Sequence, residues 1–521
     1  MKNIAKYLFL IFVIAIVGIA IYKTHIKDEI TIDGNDIYYQ KTKMITSLRV
    51  GIAKYDTINP IISTNREVIN LSYILYDSLL TLDKNYELKN NLASEWSKIS
   101  DVSYIIKLKD NVKWSDGSLF KAQDIKFTVD KIKQYKNSIY YPNVQNINEI
   151  EIVDDNTIRI KLNKDSDYFE YNLIFPILNK KQLEKETDFT KVIPIGTGMY
   201  KISKEDEKSI KIIKNENWRD LELVNPNIET IEVFKYETVG ELYNSFKTGN
   251  IDILNTSNTD IQEYIGTMGS NLKEYAGREC DFLSLNCENE VLKYPEVRQA
   301  INLGINKEDI ALHVLNNKYL KIDYALYPNS YLYDESSTIS YNAKNAKKVL
   351  EENGWEQRYG RWYKDDKVIN LELVVEQDNE TRVKVAENIK EQLSEIGIEV
   401  YLNKVSKNTY ETMIKNKNYD IIYTGIYSSY SPNLQELYGK DNNANYSKDI
   451  INDLLLDVRN ITDKDMLKQK YKEIYDVIKN ENPYVFLYRN KNIMAYSSNL
   501  VGEITPNCYT IYYNIETWYR Q

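Results

Sequence analysis

The sequence predicts an α/β protein of more than one lobe, and three observations carry that expectation. The chain has 521 residues, too many for one hydrophobic core and enough for roughly three or four domains. From residue 46 onward, period-two strands alternate with amphipathic helices. Helices that stop on a glycine lead straight into strands, and no long low-complexity linker interrupts the series, which is the pattern of compact α/β units.

"SLRVGIA" (47–53) reads as a strand and "INPIISTNREV" (58–68) as a loop. "VINLSYILYDSLL" (68–80) reads as a helix with Leu71, Ile74, Leu75, Ser78 and Leu79 on one face. "SYIIKLK" (103–109) and "TIRIKL" (157–162) read as strands, the second with clean alternation. Between them, "NVKWSDGSLFKAQDIKFTVDKI" (111–132) holds two aspartates that invite a catalytic reading. Asp116-Gly117 suits a turn, and Asp124 falls in the first turn of a helix, where a carboxylate complements the dipole. Ile125, Val129 and Ile132 form the buried stripe of that helix, with Trp114 beside it.

"YPEVRQAINLGI" (294–305) opens a helix near Pro295, and Asn306 with Asp309 suits the cap of the next one. The helix in 341–355 is capped by Asn342 and stopped by Gly354. The segment 381–402 repeats the design, with a stripe of Val385, Ala386, Ile389, Leu393 and Ile396, then Gly397, then a strand. "NPYVFLYRN" (482–490) is a late strand that must return to an earlier sheet.

Apolar content of 43%, charged content of 27% and a net charge of −9 are those of a globular chain. The charge is spread along the sequence, with no basic stripe to neutralise phosphates, so nucleic acid is not an expected partner. Tyrosine stands out at 45 residues. Two readings remain open: the residue usage of an AT-rich coding sequence, or aromatic walls around a ligand.

Residues 7–22, "YLFLIFVIAIVGIAIY", carry no charge and follow Lys2 and Lys6. Counted from Ile4, about nineteen nearly all apolar residues are just enough to cross a bilayer core of about 30 Å as a helix; Lys6 can snorkel, and the leading lysines favour a cytoplasmic N-terminus. A cleaved signal peptide competes, since Gly18-x-Ala20 weakly fits the small-residue rule. Two apolar residues follow Ala20 at once, so a retained anchor over 1–24 is preferred. No cysteine lies in or just after the segment for a lipid anchor.

Cys280, Cys287 and Cys508 are too few for a disulfide framework. On a strand, the ends of 280–287 sit on the order of 20 Å apart, too far to bridge. His25 and His313 are the only histidines, so no histidine triad and no zinc cluster can be assembled. No cofactor, no metal and no catalytic residue is expected.

Eight stretches in order resemble the extracellular solute-binding protein family that serves peptide, dipeptide and nickel ABC importers. "LYDSLLTLD" (75–83) with "LASEW" (92–96) comes first, then "YIIKLKDNVKWSDGSLFKAQDI" (104–125) and "PIGTGMY" (194–200). "FKTGNIDIL" (246–254), "FLSLN" (282–286), "VRQAINLGINKEDI" (297–310), "NAKKVLEENGW" and "NPYVFLYRN" complete the series, which spans about residues 47 to 518.

The resemblance implies a two-lobed periplasmic-binding-protein-like fold, hinged and of the three-subdomain peptide-binder type, behind an N-terminal transmembrane helix or signal sequence. Lobe one would comprise 45–283 plus 488–521, with an extra subdomain at about 78–190, and lobe two 284–487. It also implies a non-enzymatic monomer that closes on an oligopeptide or similar solute and delivers it to ABC permease subunits. A non-peptide solute such as a sugar or metal-chelate, or a solute-sensing role, is the alternative. Peptide-binding relatives hold the ligand backbone as an added strand, which tolerates many sequences.

In many such relatives a G-W-x-A-D-Y-x-D-P segment supplies an aspartate that clamps the peptide's α-ammonium. The corresponding stretch here is "TGIYSSYSP" (424–432), which keeps Gly425, Tyr430 and Pro432 but places serines where the acids should be. No Asp or Glu occurs between Asp420 and Glu436. A hydrogen bond to a charged group contributes about 1.5–3 kcal/mol, so the change costs about one to two decades of affinity for a free amine. Another acid takes over, the ligand lacks a free α-amine, or peptides bind weakly. The resemblance makes Tyr427, Ser428, Ser429 and Tyr430 the first candidates for ligand contact, with Thr64, Asn65 and Arg66 of the first loop as the second set.

The remaining motifs have plainer readings. "GTG" (196–198) is a tight turn, with no P-loop lysine after it. Arg298 is expected to pair with a neighbouring carboxylate, and His313 to lie at the surface or in the core.

Overall fold

A computed structural model describes residues 29–33, 36–40 and 45–521, apart from 259 and 266–268. The expected anchor or signal at 1–24 lies outside the described residues. Among the described residues, no helix is long and apolar enough to cross a membrane.

The strands that organise the chain are, in order, β1 (Ser47–Ala53), β2 (Ala93–Ser100), β3 (Ser103–Leu108), β4 (Ile147–Asp154), β5 (Thr157–Leu162), β6 (Tyr200–Glu205), β7 (Ser209–Lys214) and β8 (Thr230–Tyr236). They continue with β9 (Ile253–Thr256), β10 (Ser270–Leu285), β11 (Asn370–Glu376), β12 (Glu399–Val405), β13 (Ile421–Tyr427) and β14 (Tyr484–Ser497). One large sheet runs in the order β6-β7-β8-β1-β9-β14-β10-β13-β11-β12. A separate sheet, β2-β3-β5-β4, is antiparallel throughout.

The two longest strands lie side by side in the middle of the large sheet. β10 and β14 pair antiparallel from Ser270↔Ser497 to Ser284↔Tyr484, with register shifts between Ala276 and Cys280 and between Asp281 and Phe282. Such irregularities bend a strand and re-aim its side chains. At one end both strands enter a core that includes Leu48, Ile231, Met494 and Trp518, against which Tyr275 packs. At the other end they enter a second core with Leu283, Leu373, Ile389 and Val485. A third core, from Ile61 to Phe189, belongs to the four-stranded sheet and its helix.

Local chemistry explains the elements. β5 buries Ile158, Ile160 and Leu162 in alternation, as its period-two pattern requires. Helix α1 (Arg66–Leu75) starts at Asn65, whose side chain accepts from the Glu67 and Val68 amides. It stops five residues short of the expected end at residue 80. Residues 196–198 cause this: Gly198 N donates to Leu75 O at 3.1 Å, and a Cβ on Gly196 would sit 1.9 Å from that same oxygen. The G-T-G turn therefore needs glycine for close approach, and it diverts Ser78 and Leu79 out of the helix.

Asp116 and Asp124 serve local structure. Asp116 accepts from Ser118 N (2.9 Å) beside Gly117 at φ +86°. Asp124, in helix α2 (Ala122–Gln134), is buried and accepts from the Lys121 and Lys180 amides at 2.9 Å each. Burial raises its carboxyl above the usual range. Trp114 is fully buried in the same core as Ile125, Val129 and Ile132. Arg298 pairs with Glu481 at 3.1 Å. The three cysteines are free thiols. His313 is exposed and meets Asp309 at 2.8 Å.

Candidate ligand-binding cavity

Where β10 and β14 pass between the two large cores, a cavity of about 990 Å³ opens, the size of a small-ligand or short-peptide site. The start of α1 provides Thr64 and Arg66, strand β10 provides Arg278 and Glu279, and the segment after β13 provides Ser429 and Tyr430. The antiparallel register Glu279↔Tyr427 sets the last contact, because it delivers the end of β13 directly beside Arg278. Gly425 makes this pairing possible: a Cβ there would stand 2.4 Å from Asp281 Oδ1 and 2.7 Å from Arg382 Nη2, which form an ion pair at 2.6 Å.

The two candidate sets lie far apart in the chain and mostly converge. Thr64, Arg66, Tyr427, Ser429 and Tyr430 line the cavity. Asn65 does not; its side chain caps α1 and donates to the Ala53 and Lys54 carbonyls. Ser428 is buried behind the wall and lines a smaller space of about 120 Å³. Ser428 N donates to Arg278 O (2.9 Å), its carbonyl accepts from Arg278 Nε (2.8 Å), and its hydroxyl from Arg489 Nη2 (3.0 Å). Ser428 thus anchors the 427–430 arm, while Tyr427 and Ser429 stand exposed on the cavity side.

Aromatic rings make up much of the surrounding wall. Tyr430 stacks near Tyr86 (6.1 Å) and Tyr327 (6.4 Å), meets Tyr509 edge-on (5.5 Å), and donates its hydroxyl to Cys508 O (2.8 Å). Burial pushes the Tyr86, Tyr327 and Tyr430 hydroxyls well above their usual pKa, so the rings stay neutral. Burial also raises the Cys508 thiol and the Glu516 carboxyl.

The charges in the wall are unequally matched. Asp77 is buried and held by the Arg219 guanidinium, by Thr197 Oγ1 (2.9 Å) and by Asn91 Nδ2 (3.3 Å). Arg66 pairs with Glu67 at 3.4 Å. Arg278 has no ion-pair partner among the described residues; its Cζ lies 4.3 Å from the Tyr427 ring centre and 4.6 Å from that of Tyr430. No motif in the sequence marks Arg278, Arg489, Asp77 or Arg219 as part of the site. Arg278 follows Gly277 just before the "FLSLN" strand, but the adjacent Glu279 disguises it as a local charge pair.

The profile of the family "Bacterial extracellular solute-binding proteins, family 5 Middle" matches residues 87–448. The chain belongs to this family. The family 5 protein described here is 27% identical over 493 residues to the oligopeptide-binding protein AppA of Bacillus subtilis, covering 88% of this chain and 89% of that one. The structure of B. subtilis AppA in complex with a nonapeptide superposes with a TM-score of 0.55 at 25% identity, over 91% of this chain and 99% of that one. NikZ from Campylobacter jejuni in complex with Ni(L-His) gives a TM-score of 0.56 at 24% identity, with 91% and 99% covered. The α/β architecture is therefore of the periplasmic-binding-protein type. As a family 5 member, the chain is a solute-binding protein of ABC import and not an enzyme.

Proposed function

We propose that this protein captures an oligopeptide or similar solute outside the cytoplasm and hands it to the permease subunits of an ABC importer. The observation that carries the reading is the cavity of about 990 Å³, walled by segments from both sides of the paired long strands in a family 5 chain. In this reading, residues 45–283 plus 488–521 form lobe one, with the extra subdomain at about 78–190, and residues 284–487 form lobe two. Hinge closure along β10 and β14 encloses the ligand. Tyr427, Ser429, Tyr430, Thr64 and Arg66 contact it, while Ser428 and Asn65 support those contacts from behind. The apolar N-terminal segment keeps the receptor at the membrane surface as a monomer.

The likeness to an oligopeptide-binding relative along nearly the full length of both chains supports a peptide over a sugar. The test is a thermal-shift screen of the purified full-length chain against a pool of three- to five-residue peptides and, in parallel, against common sugars. Peptides are expected to raise the melting temperature. Stabilisation by a sugar and by no peptide would overturn the peptide reading. Mass spectrometry of material that co-purifies with the chain gives the ligand directly.

A further inference from the structure

The arm at 427–430, where many relatives carry an acid for an α-ammonium, is here held by two guanidinium groups. Arg489 is fully buried, and its donors reach the carbonyls of Gly277 (3.3 Å), Arg278 (3.4 Å) and Ala325 as well as Ser428 Oγ (3.0 Å). It also lies over the Tyr327 ring at 4.3 Å. Arg489 is committed to the fold.

Arg278 differs in one respect. Two tyrosine rings pack against it, and Nε is taken by Ser428 O at 2.8 Å. Its two Nη atoms have no hydrogen-bond or ion-pair partner among the described residues, although the side chain lines the cavity. A guanidinium held in this way has already lost its rotamer freedom and part of its hydration, and it presents the fork that matches a carboxylate. Stacking on tyrosine stabilises the charge without neutralising it.

Most of the other charges around the cavity are already matched. Asp77 belongs to Arg219, Asp281 to Arg382 and Glu67 to Arg66. Glu279 and Glu516 line the cavity without ion pairs among the described residues. Glu279 is exposed, so water screens it, and the half-buried, immobilised Arg278 is the stronger point of recognition.

We propose that Arg278 receives a carboxylate of the ligand, so that this arm selects an anionic group where relatives with the acidic segment select an ammonium. The proposal rests on the peptide reading above and names the ligand chemistry at that site. Two sources of the carboxylate are possible: the peptide's C-terminus or an acidic side chain.

The test is isothermal titration of the purified full-length chain with a matched set of probes. These are pentaalanine, its C-terminal amide, its N-acetyl form, and the same peptide with a central Asp or a central Asn. Each is titrated into the wild type, Arg278→Gln, Arg278→Lys and Glu279→Gln. Loss of the critical carboxylate, by amidation or by Asn in place of Asp, is expected to weaken wild-type binding tenfold or more, and N-acetylation to leave it unchanged. The arm that shows the loss identifies the source.

Arg278→Gln is expected to bind acid and amide forms equally, and Arg278→Lys, which keeps the charge without the fork, to retain part of the preference. Equal binding of acids and amides by the wild type would overturn the proposal while leaving the peptide reading standing. A tenfold cost of N-acetylation that disappears in Glu279→Gln would overturn it too, since the ammonium clamp would then have moved to Glu279. Binding of no peptide at all would remove the peptide reading and this proposal with it.

Discussion

The two ends of the cavity hold charge in opposite ways. At the Asp77 end, one buried carboxylate has three protein partners: Arg219, Thr197 and Asn91. At the Arg278 end, a guanidinium has one carbonyl and two ring faces, and no carboxylate is paired with it among the described residues. Both side chains line the same space, so exposure to the cavity does not separate them. Completeness of pairing does: a charge satisfied by the protein holds the wall in place, and a charge left open is what a ligand can use.

Breaking the matched end should cost the most. Asp77→Ala would leave the Arg219 guanidinium, whose side chain is only 14% exposed, with Asp220 at 3.2 Å and Asn91 as its remaining partners, so the loss should lie near the lower end of the about 3–5 kcal/mol that breaking a buried pair costs. Urea denaturation measures it. A loss under about 1 kcal/mol would mean that the pair is hydrated and that the contrast between the two ends is weaker than its geometry. The next largest effect comes from the turn that carries Thr197 to Asp77. Gly196→Ala places a methyl 1.9 Å from Leu75 O, a backbone atom that cannot swing aside. Overpacking of this kind costs about 1–3 kcal/mol, and the same denaturation series reads it.

The corner at Asp77 also shows where the sequence could and could not be read. The strands 47–53 and 157–162 were legible to the residue, because period-two burial is a local property. The apolar spacing from residue 68 continues through Leu79, although the helix itself ends at Leu75. What ends it is a carbonyl at Leu75 taken by Gly198, more than a hundred residues later. Thr64 and Arg66 were legible beside Tyr427, Ser429 and Tyr430 only through family resemblance, and nothing in their spacing shows that they face one cavity. Arg278 was invisible for a related reason. Its meaning lies in the lack of a partner, and pairing is a property of the folded chain.

At the open end, Arg278→Gln removes two ring contacts and one hydrogen bond. With exposed cation–π contacts at about 0.5–1 kcal/mol each, the stability loss should stay near 1–2 kcal/mol, below that of Asp77→Ala. The two variants should rank oppositely in binding, with Arg278→Gln changing ligand preference and Asp77→Ala leaving it. Equal ranking in both assays would erase the distinction between wall and contact.

The smallest effect tests the frame around that open charge. Tyr430→Phe keeps the stacking on Tyr86 and Tyr327 and removes only the hydroxyl donated to Cys508 O at 2.8 Å, a net loss of about 1 kcal/mol at neutral pH. Burial raises the Tyr430 hydroxyl above its unfolded value of about 10. The folded chain therefore holds this proton more tightly than the unfolded one, and stability from this group falls as pH rises. Its contribution is complete below about pH 10 and is lost as the pH climbs towards the folded-state value. Phenylalanine has no such proton, so the gap between wild type and Tyr430→Phe should narrow in alkali. Denaturation at about pH 7, 9 and 10.5 follows the gap, and one that widens with pH would mean that Tyr430 ionises readily and that Arg278 faces a tyrosinate, an internal counter-ion, instead of a neutral ring.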